Sequence, residues 1–369
     1  MSTGRKPVDF WLFMTVLILI SFGTIMVFSA SSAYSNLRYD NTYYFLKSQL
    51  INVAAGFIAM IAAMNYDYRK LGKLSPLMLA ASILLLILVA IPFIGLKINN
   101  ARRWLDLGVT TMQPSEFAKL AVIMFYSHSL SKRREQLGSF TKGLLPYLVL
   151  MVVFAGLLML EPHLSGTMVI MIVACVILFC AGAKLKHFFA MGVPVFATFT
   201  MAVIFVDYIR LRVTTFLDPM QDPQGEGYQI IQSLYAIGSG GLFGKGLGKS
   251  LQKFLYIPEP HNDFILSVLA EELGFVGVLA VLLLFIIFIW RGIKIAMNAA
   301  DVFGSLVAIG ITSLVAIQVI FNVAVVTASM PVTGMPLPFF SYGGTSLVFL
   351  MAGIGVLLNI SRYAKYDRL

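Results

Sequence analysis

Apolar residues gather into runs of about twenty along nearly the whole chain, the length an α-helix needs to cross roughly 30 Å of hydrocarbon. Ten such runs are present, at about 11–31, 45–64, 75–95, 113–130, 144–160, 165–183, 187–206, 263–290, 303–328 and 340–361. They predict ten transmembrane helices in a single all-α polytopic membrane domain covering residues 1–369. The connectors are short except for 207–262, which is rich in Gly, Pro and Gln and too long for a simple link. It reads as a structureless extracytoplasmic loop, and a loop of that length serves binding, gating or a partner.

Charge orients this pattern. If the N-terminus is cytoplasmic, the inner segments carry Arg5 and Lys6, Arg69, Lys70 and Lys73, Lys132, Arg133, Arg134 and Lys142, Lys184 and Lys186, Arg291 and Lys294, and finally Arg362, Lys365 and Arg368. The excess of Lys and Arg on that side predicts both termini inside. Two outer segments break the rule. Residues 96–112 hold Lys97, Arg102 and Arg103, while 207–262 hold Arg210, Arg212, Lys245, Lys249 and Lys253. Cations left on the outer face suggest a polyanionic ligand there.

Composition closes off other classes. Over 369 residues the chain is 59% hydrophobic and 12% charged, which excludes a soluble globular protein. Its net charge of +10 is the charge asymmetry of membrane connectors, so nucleic acid is not an expected partner. The first apolar run follows Arg5 and Lys6 without a small-residue cleavage site and reads as a retained helix. Cys175 and Cys180 lie five apart in one run, on different helix faces, which predicts neither a disulfide nor a metal site.

The chemistry concentrates at membrane boundaries. Asp263 follows Pro258-Glu-Pro-His-Asn262 and opens a strongly apolar helix, where an ionised carboxylate is either a helix cap or a reagent. Glu271 and Glu272 lie about 12–13 Å farther along that helix, too far to form a dyad with Asp263. In Gln113-Pro-Ser-Glu-Phe-Ala-Lys119 the proline suits a first helical turn, and Glu116 and Lys119 share a face. That pair is either a structural ion pair or a cavity-facing phosphate ligand. Arg102 and Arg103 suit bidentate phosphate contact, and Trp104 is either a ligand contact or part of the interfacial aromatic belt. Glu161 and His163 occupy a tight outer turn. Gly248-Lys249-Ser250 ends like a nucleotide P-loop, but Phe243 stands where the first glycine is needed, so that reading is rejected. Met335-Pro-Leu-Pro-Phe-Phe-Ser-Tyr-Gly-Gly344 breaks the start of the last run and places Ser341 beside a cavity or a kink.

These motifs, with Ala101-Arg-Arg-Trp104, Gly227-Tyr-Gln-Ile-Ile-Gln-Ser233 and Gly240-Gly-Leu-Phe-Gly-Lys-Gly-Leu-Gly248, resemble the SEDS family (shape, elongation, division and sporulation) along nearly the whole chain. The variants look most like its division and spore-cortex branch. The resemblance implies a peptidoglycan glycosyltransferase that polymerises lipid II at the outer face of the bacterial cytoplasmic membrane. It also implies a class B penicillin-binding protein as partner, alongside other divisome or sporulation proteins. Asp263 falls on the family's essential aspartate, as general base or as ligand to a divalent cation such as Mg2+ or Mn2+. Arg102, Arg103 and Lys119 are the candidates for holding diphosphate; Trp104, Glu116, Glu161, His163, Gln232 and Ser341 complete the candidate substrate contacts. The family often has Asp where His163 stands and Gly where Asn100 stands. Two alternatives stay open at this level: a lipid transporter with Glu116, Lys119, Glu271 and Glu272 along its path, and a scaffold in which the polar residues only join helices.

Overall fold

The computed structural model describes residues 6–98, 101–106, 108, 111–188, 192, 200–201, 204–205, 207–225, 227–254 and 256–365. It is dominated by helices: α1 Phe10–Tyr39, α2 Tyr44–Asn65, α3 Tyr68–Ala90, α4 Pro114–Arg133, α5 Leu145–Leu160, α6 Leu164–Ala181, α7 Asp207–Leu217, α8 Tyr228–Gly240, α9 Ile265–Met297, α10 Val302–Val326 and α11 Thr345–Ser361. Local chemistry marks their ends. Asp9, Asp67 and Asp301 cap α1, α3 and α10 by accepting from backbone N–H groups of the first turn, and Pro114 begins α4.

Seven helical stretches among the described residues are long and apolar enough to cross a membrane. The chain is a multi-pass membrane protein. α4 falls outside that set because Ser115, Glu116 and Lys119 dilute its apolar character, and α11 because it has only 17 residues. The span expected at 187–206 lies mostly outside the described residues.

Two expectations need correction. The chain is not all-α, because residues 95–112 form a small antiparallel sheet of β1 Gly95–Ile98, β2 Ala101–Asp106 and β3 Thr111–Met112, in the order β1-β2-β3. Ladder hydrogen bonds satisfy backbone groups that a turn between α3 and α4 would otherwise leave to solvent. Nor is 207–262 a structureless loop, since α7 and α8 fold within it. Ile230, Ile231, Ser233 and Ala236 form the buried face of α8, while Leu234 and Tyr235 stay exposed.

α9 is broken. Gly274 has φ 67° and ψ −168°, and a β-carbon there would lie 2.3 Å from the Gly244 nitrogen, so only glycine admits the loop against the helix. From residue 275 to Met297 the helix still extends about 35 Å, enough to span the bilayer alone. Glu271 and Glu272 therefore sit just ahead of the break, and both are wholly buried under loop 241–254.

Their carboxylates read that loop. Glu271 accepts from Lys245 Nζ at 2.6 Å, Ser250 Oγ at 2.5 Å, and the backbone N–H groups of Leu251 and Gln252 at 3.1 Å each. Glu272 accepts from Lys253 Nζ at 3.0 Å and from Ser29 Oγ on α1 at 2.7 Å. The backbone adds Lys245 N to Glu271 O at 3.0 Å and Phe275 N to Gly241 O at 2.9 Å. Two buried charges are tolerable here because each has a cation and several donors. The central core is apolar: α10 packs against α9, α6 and α4, and α11 lies along α2.

Candidate active site

Proline decides where Asp263 stands. Pro258 and Pro260 bracket Glu259, which takes a positive φ of 45°, and turns and bends carry the chain through Asp263 and Phe264 to the first residue of α9, Ile265. The side chain of Asp263 is not the cap of α9: Phe264 holds that position, with no side-chain cap bond. The Asp263 carbonyl accepts from Asn322 Nδ2 at 2.8 Å, and the same amide group donates to the Met335 carbonyl at 2.8 Å. Ser341 Oγ donates to the Asn262 carbonyl at 2.7 Å and accepts from Leu337 N at 2.7 Å. Tyr342 N donates to the His261 carbonyl at 2.9 Å. The segment ahead of α9 and the Pro- and Gly-rich segment ahead of α11 are thus stitched into one wall, with Asn322 on α10 as the seam.

Asp263 opens from this wall into a cavity of about 380 Å³. Arg103, Trp104, Glu116, Lys119 and His163 line it too, although the sheet and α4, which run on from one another, and the turn before α6 all lie far from Asp263 in sequence. Glu259, Asn262 and Gly334 complete the wall around the carboxylate; a β-carbon on Gly334 would come within 3.2 Å of Asp263 Oδ2.

The remaining expected residues are placed elsewhere. Arg102 is absent from the lining, to which this strand contributes Ala101, Arg103 and Trp104. Glu161 is completely buried behind the cavity, where Arg103 Nε donates to its carbonyl at 3.1 Å and Arg103 Nη2 to the Pro162 carbonyl. Ser341 lines a smaller neighbouring cavity together with Glu116 and Lys119. Gln232 lies half-buried on α8 and lines neither; Gln229, one turn earlier, reaches a third cavity beside Asp263.

Electrostatics divides these groups. Burial pushes the Asp263 carboxyl up to about 6, with the Glu259 charge adding to the rise and Arg103 and Arg212 opposing it. Glu161 is pushed up to about 8 by burial, against the pull of Arg103, so its carboxyl holds its proton at neutral pH. His163 is driven down to about 3 by burial, helped by Arg103 and Lys119; its neutral ring meets Gln113 Nε2 at 3.1 Å. Lys119 Nζ lies 2.7 Å from the Glu116 carboxylate, so the pair presents one cation and one anion at the cavity edge. The arrangement offers an ionisable carboxylate with cations across a partly dry space, which suits proton abstraction beside an anionic group.

Sequence reasoning missed five residues of this site. Glu259 and Asn262 lie within the motif around Asp263 but were treated as its flank. Gln229 shares a motif with Gln232, and helical phase decides which one faces the site. Arg212 had been counted only as an outer cation. Asn322 left the clearest signal, an isolated amide in an otherwise apolar run, which in a membrane helix calls for a partner. Among the described residues no group of three or more His, Cys, Asp or Glu side chains is placed to hold a metal.

Comparison with known proteins places nearly the whole chain in one family. Residues 10–366 match the cell cycle protein family of FtsW, RodA and SpoVE. Stage V sporulation protein E of Bacillus subtilis is 45% identical over 99% of this chain and 100% of its own length. A probable peptidoglycan glycosyltransferase FtsW of Trichlorobacter lovleyi is 42% identical over 98% of this chain and 96% of that one. Among solved structures, a chain of a peptidoglycan synthase complex superposes with a TM-score of 0.81 at 31% identity, covering 96% of this chain and 98% of that one. The rod shape determining protein RodA of Thermus thermophilus gives 0.72 at 29% identity, covering 98% of both. The chain belongs to the FtsW/RodA/SpoVE family, the SEDS proteins.

Proposed function

We propose that this protein is a peptidoglycan glycosyltransferase that polymerises lipid II at the extracytoplasmic face of the membrane. The observation that carries the reading is one cavity in which the Asp263 carboxylate faces Arg103 and Lys119, contributed by separate parts of the chain. The excess of Lys and Arg on the inner connectors supports ten spans with both termini cytoplasmic, a topology in which this cavity opens on the outer side. The relatives named as glycosyltransferases and the synthase-complex neighbour support the same activity.

In the reaction, a sugar 4-hydroxyl attacks the anomeric carbon of a second lipid-linked glycan. The new C–O bond forms as the bond to the undecaprenyl diphosphate breaks, Asp263 takes the hydroxyl proton, and the diphosphate leaves as an anion. General-base help of this kind contributes roughly 10² to 10⁴-fold. Arg103 and Lys119 stabilise the charge that grows on the diphosphate, in a site where little water competes. Arg103 is aimed by its bonds to the carbonyls of Glu161 and Pro162.

The site also suits a divalent cation of the Mg2+ or Mn2+ kind. Asp263, Glu259 and the amide oxygen of Asn262, which is buried without a hydrogen-bond partner, would hold it, with substrate oxygens and water completing the shell. Such an ion would supply further neutralisation of diphosphate charge.

A class B penicillin-binding protein is the proposed partner, supported by the synthase-complex neighbour, which couples polymerization to crosslinking. The structure lends little to a transport path, because the charges it would use are paired: Glu116 with Lys119, Glu271 with Lys245, and Glu272 with Lys253. Purified protein and partner given labelled lipid II are expected to make glycan polymer. Translocation of lipid II across vesicles without polymer would contradict the proposal.

A further inference from the structure

Asp263, Glu259 and Asn262 have a second face. On it lies a cavity of about 260 Å³, completed by Gln229 from α8, Pro258 and Phe264. Among the described residues its lining contains two carboxylates and two amides and no Lys or Arg, whereas the larger cavity on the other side holds Arg103 and Lys119. The same three residues therefore separate a cavity lined by Arg103 and Lys119 from one with no cation in its described lining.

The chemistry on the two sides must differ accordingly. A diphosphate in the smaller cavity would face two carboxylates with no lining cation, so an anionic ligand is disfavoured there. A neutral sugar suits it, since carboxylates accept from hydroxyls, amides both donate and accept, and the exposed ring of Pro258 supplies apolar surface for the C–H face. The volume is below the roughly 300–1,000 Å³ of pockets for drug-sized ligands, which fits a single sugar ring. Displacement at an anomeric carbon with a general base places the incoming hydroxyl on the face opposite the leaving group. A base in the wall between a sugar-binding cavity and a cationic cavity meets that demand.

We propose that the cavity between Gln229 and Asp263 is the acceptor subsite, taking the sugar ring that carries the attacking hydroxyl, and that Gln229 binds this ring. The inference rests on the glycosyltransferase reading above and assigns its two substrates to opposite faces of one wall. Gln229 orients the acceptor by hydrogen bonding, while Arg103 and Lys119 serve the donor.

The two substrates can be separated chemically. A lipid-diphosphate disaccharide lacking the 4-hydroxyl on its outer sugar donates but does not accept; the disaccharide with that hydroxyl intact, as a methyl glycoside without lipid or diphosphate, accepts but does not donate. With the full chain and its partner, Gln229→Leu is expected to raise the acceptor KM about tenfold, the value of one good hydrogen bond, and to leave the donor KM within about twofold. Arg103→Met is expected to do the reverse. An unchanged donor KM in the same sample reports that the Gln229 variant is folded. Gln229→Asn, a shorter amide and a milder change to the helix, serves as the second variant and is expected to raise the acceptor KM by a smaller factor. An acceptor KM that stays within about twofold in either active variant, or a donor KM that rises in step with it, would overturn the assignment. Wild-type protein that couples neither pair would instead refute the glycosyltransferase reading itself.

Discussion

Glu272→Gln removes one charge from a buried pair and leaves the other behind. Lys253 Nζ, 3.0 Å from Glu272 Oε1, would keep the Gly248 carbonyl at 2.7 Å, Ser29 Oγ at 3.2 Å and an uncharged amide oxygen but no anion, with its side chain 4% exposed. At that separation and an effective dielectric of 20 the direct attraction is about 5.5 kcal/mol, and losing one partner of a buried pair costs about 3–5 kcal/mol once desolvation is included. A loss of 4 kcal/mol multiplies the open population of the loop by about 10³. The loop leads directly into the Pro258–Asp263 segment, so opening it releases the wall that holds Asp263. Amide hydrogen exchange reads this out, because the N–H groups of Lys245, Gly246, Leu251 and Gln252 are tied to Glu271 or Glu272. Exchange at these four sites should accelerate by two to three decades, about 10²–10³-fold for a cost of 3–4 kcal/mol, with the α10 amides unchanged. Glu272→Met combined with Lys253→Met should recover at least half of the loss, since no unpaired charge remains. Unchanged exchange in Glu272→Gln would refute the idea that this pair latches the loop.

Other consequences follow from the site. Glu259→Gln removes the second-largest cause of the raised Asp263 pKa, leaving burial opposed by Arg103 and Arg212. The base acts ionised, so wild-type rates should fall as pH drops through about 6, and the variant's acid limb should move to lower pH in initial-rate profiles. Asn322→Leu strips the shared donor from the Asp263 and Met335 carbonyls, at about 1–3 kcal/mol for each carbonyl left buried without a partner. A lowered Tm and a loss of polymerisation in the same sample are expected. Arg103→Met should lower kcat about 10²-fold by removing charge stabilisation at the diphosphate, measured by gel separation of glycan products.

Much of this was legible in the chain because the membrane imposes so simple a rule. Apolar length marked the helices, and the Lys and Arg bias supplied an orientation to test. The motif 258–265 drew attention to Asp263 because proline, carboxylate and apolar run meet there. Less legible was anything decided by pairing across the fold. Nothing in the spacing of Glu271 and Glu272 says that loop 245–253 returns to wrap them, since that contact joins distant segments through backbone N–H groups. The sheet at 95–112 was missed because its strands are short and its pattern does not alternate cleanly, Trp104 and Arg103 both facing the cavity. The choice between Gln229 and Gln232 depends on the rotation of α8, which no local motif sets. His163 and Glu161 are adjacent in sequence terms, yet one lines the cavity and the other is sealed behind it.

The central claim is that Asp263 performs the chemistry and does not merely begin a helix. Its most direct test is lipid II polymerisation by wild-type protein and by Asp263→Asn, each purified with the proposed penicillin-binding partner and checked for complex formation. The asparagine keeps the shape and the carbonyl bond to Asn322 while removing the base. The account predicts an intact complex with glycan synthesis reduced by about 10²-fold or more. Polymerisation by Asp263→Asn at the wild-type rate would contradict it.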